Sequence, residues 1–207
     1  MTILNRHQEV ALDKTLLERA LELLAFRLRA NGVTEATHLV VCGGSALILT
    51  GLVPRATRDV DIVAMLRSGR LASPEPLPPE LLQAAHDVAA DLGLNKEWLN
   101  NGPSKDIGGL FQMGLPAGLQ ERLIKKEYGE LLSVYFISRI DQVFFKLYAS
   151  VDRGGYHITD LLALNPSPEE LEDAARWTMT HDVSDGYQMV LKRLLFELGF
   201  THVSERL

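Results

Sequence analysis

The chain is poor in cysteine, and that scarcity alone removes several classes of protein. Cys42 is the only thiol among 207 residues. A disulfide framework and a thiolate zinc site are therefore excluded, and a reducing, cytoplasmic setting is expected. Positive charge is scarce too. Twenty-one Lys and Arg stand against 27 Asp and Glu, a net charge of −6, which speaks against broad nucleic-acid binding but leaves room for a local basic groove. No apolar run reaches membrane-spanning length, so no membrane partner is expected, and the start of the chain lacks the charged-then-apolar pattern of a signal peptide. Repeats and low-complexity tracts are missing as well. The six histidines have no metal-ligand spacing, and His157 reads as a non-ligand. Ser45 has no His/Asp pattern to complete a hydrolase triad.

What remains is an ordinary globular composition, 46% hydrophobic and 23% charged, long enough to bury a core. Apolar residues at helical spacing predict a helix over 13–29, stopped by Asn31-Gly32. HLVVC (38–42) reads as a buried strand, 45–50 as the first turns of a helix, and DVDIVAM (59–65) as a second strand. SGRLASPEPLPP (68–79) reads as a surface loop, 80–91 as a helix stopped by Gly93, and 94–118 as irregular chain or a lid. LLSVYFI (131–137) is a third strand. Ser138 opens a helix through Asp152, Ser167-Pro168-Glu169-Glu170 opens one to about Thr180, and a last helix is expected over 184–198. The fold class is α/β (α+β), a mixed sheet flanked by helices with a helical C-terminal part. The expected division is a core over 1–137, carrying an inserted segment 68–130, and a helical subdomain over 138–207. Cys42, Trp98 and Trp177 read as packing residues. Arg122, Lys125 and Lys126 read as a solvated helix face with some capacity for an RNA backbone.

Two features carry chemistry. On a strand, residues i and i+2 share a face, so Asp59 and Asp61 project together while Val60 and Ile62 turn inward. Paired carboxylates repel unless a cation compensates, and Mg²⁺ commonly takes one or two carboxylates plus substrate phosphates. Gly43-Gly44-Ser45, between a strand and a helix, offers backbone N–H groups to a phosphate. Arg55, Thr57 and Arg58 add charge and donors. Farther on, Lys146 lies inside VFFKLYA, where an ammonium needs an anion or a route to solvent. Arg153 shares its helix face seven residues later, Gly154-Gly155 breaks the helix, and Asp160 follows at the start of LLAL.

The turn Gly43-Gly44-Ser45, thirteen residues and then Asp59-Val60-Asp61-Ile62 resembles the signature of the nucleotidyltransferase superfamily with the DNA polymerase β-like fold. The likeness is greatest to the minimal bacterial nucleotidyltransferases of toxin–antitoxin systems, the AbiEii and MenT types, and spans about residues 38–164. It implies NTP as substrate, Mg²⁺ (or Mn²⁺) held by Asp59 and Asp61, transfer of NMP to a hydroxyl of tRNA or protein, and a cognate antitoxin as partner. Carried over, Lys146 contacts the phosphates, Arg153 supports phosphate or the site wall, and Asp160 completes the site as a base or metal neighbour. One departure stands out. Many members have a third carboxylate on a later strand, and LLSVYFI has none. A weak or inactive nucleotide-binding regulatory module of the same fold is the alternative, and a purely structural protein, with Lys146 and Asp160 far from the aspartates, is a third.

Overall fold

The computed structural model describes residues 10–207. Helix α1 (Lys14–Ala30) begins where the Asp13 carboxylate accepts from the Leu16 N–H at 2.8 Å, which satisfies one of the donors left open at a helix start. Its Leu17, Leu21, Leu24 and Leu28 face is buried. Strand β1 (Thr37–Cys42) then enters the core and passes directly into α2 (Gly43–Leu49). After a loop, β2 (Val60–Arg67) returns antiparallel to β1, with Cys42 opposite Asp61.

The sheet is mixed and six-stranded among the described residues, in the order β3-β2-β1-β6-β5, with β4 also paired to β2. Strand β3 (Arg70–Ala72) pairs with the end of β2, and β4 (Leu99–Asn100) with its beginning, where Asn100 stands opposite Asp61. On the other side, β6 (Leu132–Phe136) runs parallel to β1, and β5 (Ile124–Glu127) closes the edge antiparallel to β6. Strand β1 is apolar throughout its inner half because both sheet faces are covered. Leu39 and Val41 join the main core, while Val40 and Cys42 join a smaller cluster with Val63, Leu119, Ile137 and Phe145.

Helix α3 (Pro79–Leu92) lies against α1 and ends at Gly93 in the left-handed conformation. The C-terminal part is α5 (Arg139–Arg153), α6 (Tyr156–Ala163), α7 (Pro168–His181), α8 (Asp185–Glu197) and α9 (Thr201–Arg206), after a single short turn α4 (Leu110–Met113). The Ser167/Glu170 capping box is formed on both sides. The main core is continuous from Leu12 to Val203.

Several expectations are corrected. The 68–79 stretch is not all loop, because Ser68-Gly69 turns tightly and lets β3 pair as a hairpin. Of the basic cluster, Lys125 and Lys126 are on the edge strand β5, and Arg122 ends a short 3-10 turn before it. The charges of the cluster are already engaged, Arg122 with Asp141, Lys125 with Glu127 and Lys126 with Glu18. Segment 68–130 supplies β3, β4 and β5 to the sheet. Asp59 precedes β2 instead of opening it, and α9 continues the chain beyond the expected stop at Gly199.

Trp98 is wholly buried, and its indole N–H donates to the Ala85 carbonyl at 2.9 Å, which locks α3 to the start of β4. Trp98→Ala should cost about 3–5 kcal/mol. Urea unfolding should show a lower midpoint with an unchanged slope; an unchanged midpoint would rule out this packing role.

Candidate functional site

The antiparallel register puts Asp61 between the end of β1 and Asn100 of β4. Beside it the chain turns into α2 through Gly43, whose φ of +70° favours glycine. The close approach is the stronger constraint. A Cβ on Gly43 would lie 2.8 Å from Asp61 Oδ2, and one on Gly44 would lie 2.7 Å from Thr57 Oγ1 and 3.1 Å from Arg55 Nη2. The two glycines are small because a carboxylate, a hydroxyl and a guanidinium press against the same turn.

These groups open onto a cavity of about 960 Å³. Gly43, Gly44, Arg55, Thr57, Arg58, Asp59 and Asp61 line one side, and Lys146, Arg153, Tyr156 and His157 come from α5 and α6. The loop carrying Thr57 and Asp59 is fixed from behind, since Leu12 and Thr57 exchange backbone hydrogen bonds at 2.8 and 2.9 Å. The Thr57 hydroxyl lies 3.4 Å from Asp59 Oδ1.

Lys146 and Arg55 meet on Asp160. Arg55 grips the carboxylate with two nitrogens, Nε to Oδ1 at 2.9 Å and Nη2 to Oδ2 at 2.6 Å, and Lys146 Nζ lies 2.8 Å from Oδ2. Such forked contacts are among the stronger polar interactions. Burial raises the Asp160 carboxyl, but the hydrogen bonds from Arg55 and Lys146 outweigh it and hold it below the ordinary aspartate range. Tyr156 covers both cations, with its ring centre 5.4 Å from Arg55 Cζ and 5.7 Å from Lys146 Nζ.

Asp61 is perturbed the other way. Burial pushes its carboxyl up, the neighbouring Asp59 charge adds to this, and a hydrogen bond from Asn100 with the charges of Lys146 and Arg153 offsets only part, leaving it at about 7. Two mutually repelling carboxylates facing one cavity fit a hard divalent cation such as Mg²⁺ or Mn²⁺, with phosphate oxygens filling the other positions. Among the described residues no group of three or more His, Cys, Asp or Glu side chains gathers to hold a metal.

Two expected residues take different places. Ser45 is wholly buried, and its hydroxyl turns back to the Cys42 carbonyl at 3.5 Å instead of entering the cavity. Asp160 is buried with both oxygens occupied by cations, so it anchors Arg55 and Lys146 and is not free to act as base or metal neighbour. Arg58 and Arg153 are exposed on the cavity wall, with Arg153 Nε 3.0 Å from Asp152. Sequence reasoning missed Asn100, which left no signal because β4 is two residues long, and Tyr156, whose aromatic ring directly after Gly154-Gly155 was a usable one. His157 was set aside, yet it faces the cavity.

No family model, curated protein or solved structure matches the chain. No helix among the described residues is long and apolar enough to cross a membrane.

The two aspartates should respond to mutation with opposite signs. Asp61 ionises at about 7 when folded against 3.8 for a free carboxyl. The stability tied to its protonated form is therefore full below the lower value and lost as pH rises through the upper one. In metal-free buffer, Asp61→Asn should raise the unfolding temperature above neutral pH and change it little in acid. Asp160→Ala strands a buried ammonium and should cost about 3–5 kcal/mol at neutral pH. Thermal scans of both variants check this, and matching signs at alkaline pH would contradict the assigned electrostatics.

Proposed function

We propose that the chain is a Mg²⁺-dependent nucleotidyltransferase that moves an NMP from an NTP to an acceptor hydroxyl of tRNA or protein. The toxin role and the cognate antitoxin come only from the resemblance of its two motifs. One observation carries the reading. A carboxylate pair beside a glycine turn and the cations Lys146 and Arg153, from about a hundred residues later, line one cavity, and Asp160 behind it joins Lys146 to Arg55. Neither half alone makes a polyphosphate site. Together they offer anionic oxygens for a metal and cations for phosphates, which favours a substrate that carries both. A purely structural role is disfavoured by the same convergence.

Within this reading Asp59 and Asp61 would hold the metal, which when bound would supply positive charge to an in-line displacement at phosphorus. Gly43 and Gly44 let Asp61, Thr57 and Arg55 pack close against the turn at the cavity wall. Lys146, fixed by Asp160, and Arg153 at the wall offset phosphate charge, and Arg55 keeps the fixed cations in place. The acceptor oxygen forms a bond to the α-phosphorus, the bond to the bridging oxygen breaks, and pyrophosphate leaves. Electrostatic preorganisation of this kind acts without reorganising charged groups during the reaction.

The test is label transfer. With Mg²⁺ and total tRNA or total protein, NTPs labelled at the α-phosphorus should mark the acceptor, while γ-labelled NTPs should not. Asp61→Ala should reduce transfer by about 100-fold or more, the scale for losing a charge-stabilising group. An undiminished Asp61→Ala variant would refute the assignment. Calorimetric NTP binding without transfer to any acceptor would instead select the regulatory nucleotide-binding module, a reading favoured by the absence, among the described residues, of a third carboxylate gathered with the pair.

A further inference from the structure

Helix α5 lines the cavity with two unlike rows of side chains. Phe145, Tyr148, Ala149 and Asp152 stand at i, i+3, i+4 and i+7, so they share a helix face, and all four line the cavity. Lys146 and Arg153 each follow a member of that row by one position, about 100° farther round the helix. One stripe of α5 thus offers cations and the next offers rings. The cavity, about 960 Å³, is at the upper end for sites that enclose a whole small ligand. A triphosphate and its metal are only part of such a ligand.

The ring row is braced from behind. Trp177 of α7 stacks on Phe145, with ring centres 5.7 Å apart and planes at 13°, and meets Tyr148 edge-on at 6.2 Å and 72°. Tyr187 of α8 lies 6.1 Å from Tyr148. Of these rings Phe145 and Tyr148 line the cavity, Phe145 buried and Tyr148 half-buried. Gly109 and Leu110 line it too, and Leu110 packs on the apolar cluster that contains Phe145. Their segment is held in place. A Cβ on Gly109 would lie 2.5 Å from the Ser104 backbone. The Ser104 hydroxyl donates to the Val63 carbonyl at 2.7 Å and accepts from the Phe111 N–H at 3.3 Å.

We propose that this part of the cavity is a nucleobase subsite, in which the base of the NTP stacks on Tyr148 beside Phe145 and Ala149 while its phosphates pass along Lys146 and Arg153 toward the aspartate pair. This rests on the nucleotidyltransferase reading and adds to it the residues that hold the base. Every base has an apolar face, so an aromatic platform suits it. The brace from Trp177 and Tyr187 sets the rings before any ligand arrives, which lowers the ordering cost of binding. Asp152, one turn beyond Tyr148, brings an acceptor for N–H donors on the base edge. Its contact with Arg153 is an exposed ion pair at 3.0 Å, the kind that holds weakly in water and yields to a competing donor.

The experiment compares, by calorimetry with Mg²⁺, the Kd of the full chain for ATP, GTP, CTP and UTP with its Kd for inorganic tripolyphosphate, which has no base. The tightest NTP should bind more tightly than tripolyphosphate. Tyr148→Ala should weaken that NTP by about 5- to 150-fold, the scale for losing one base–aromatic stack, and leave tripolyphosphate unchanged. Tyr148→Phe keeps the ring and should bind like the unmodified chain. Thermal unfolding checks that each variant is folded, and Phe145→Leu, which keeps an apolar side chain but removes the ring, serves if Tyr148→Ala is not. Equal affinity of the full chain for NTPs and tripolyphosphate overturns the subsite and leaves the metal–polyphosphate site standing. So does a Tyr148→Ala variant that binds the NTP undiminished or loses both ligands alike. If the full chain binds neither ligand, the nucleotidyltransferase reading falls and this one with it.

Discussion

Lys146 is almost fully enclosed within a helix whose neighbouring positions are apolar, and burying an ammonium costs several kcal/mol unless an anion meets it. Asp160 is that anion. Because Arg55 binds the same carboxylate from a loop 105 residues earlier, one aspartate joins the sheet half of the chain to the helical half. Two of the three partners, Arg55 and Lys146, also line the cavity. The other parts are aimed by the same three-way contact: Arg55 fixes the loop leading to Thr57 and Asp59, while α6 presents Tyr156 and His157.

The second constraint is steric. Backbone at Gly43 and Gly44 approaches polar side chains more closely than any Cβ allows, and the β1–β2 register makes the approach unavoidable by setting Cys42 opposite Asp61. An ionisable group is thereby kept in a place that disfavours its charge. Stability is surrendered locally at Asp61 and recovered in the surrounding core, a common arrangement at functional sites. Strain of this kind follows from which atoms touch, without appeal to any relative.

Much of the fold was legible because its signals are local. Leu17, Leu21, Leu24 and Leu28 announce α1 by spacing, Ser167 and Glu170 announce α7 by their box, and HLVVC announces β1 by unbroken hydrophobicity. Strand β3 was hidden because three residues bear no period, and β5 because Lys125 and Lys126 look alike on a helix or an edge strand. The site was half legible. Alternation placed Asp59 and Asp61 together, and helical spacing placed Lys146 with Arg153. The bond from Arg55 to Asp160 is invisible to either rule, since it depends on how two distant segments pack. For that reason a residue read as a reactive acid proves to be an anchor, and Ser45, which looked like part of a phosphate turn, faces inward.

The 105-residue span between Arg55 and Asp160 also sets an order in time. A ribosome delivers the glycine turn, Asp59 and Asp61 early, but the lysine and its counter-ion emerge only after more than two thirds of these residues have been made. Domains fold as they appear, N-terminal parts first. Until α6 docks, Arg55 has no aspartate to grip and the cavity lacks one wall. The clamped geometry therefore waits on α6, the last of these segments to be made.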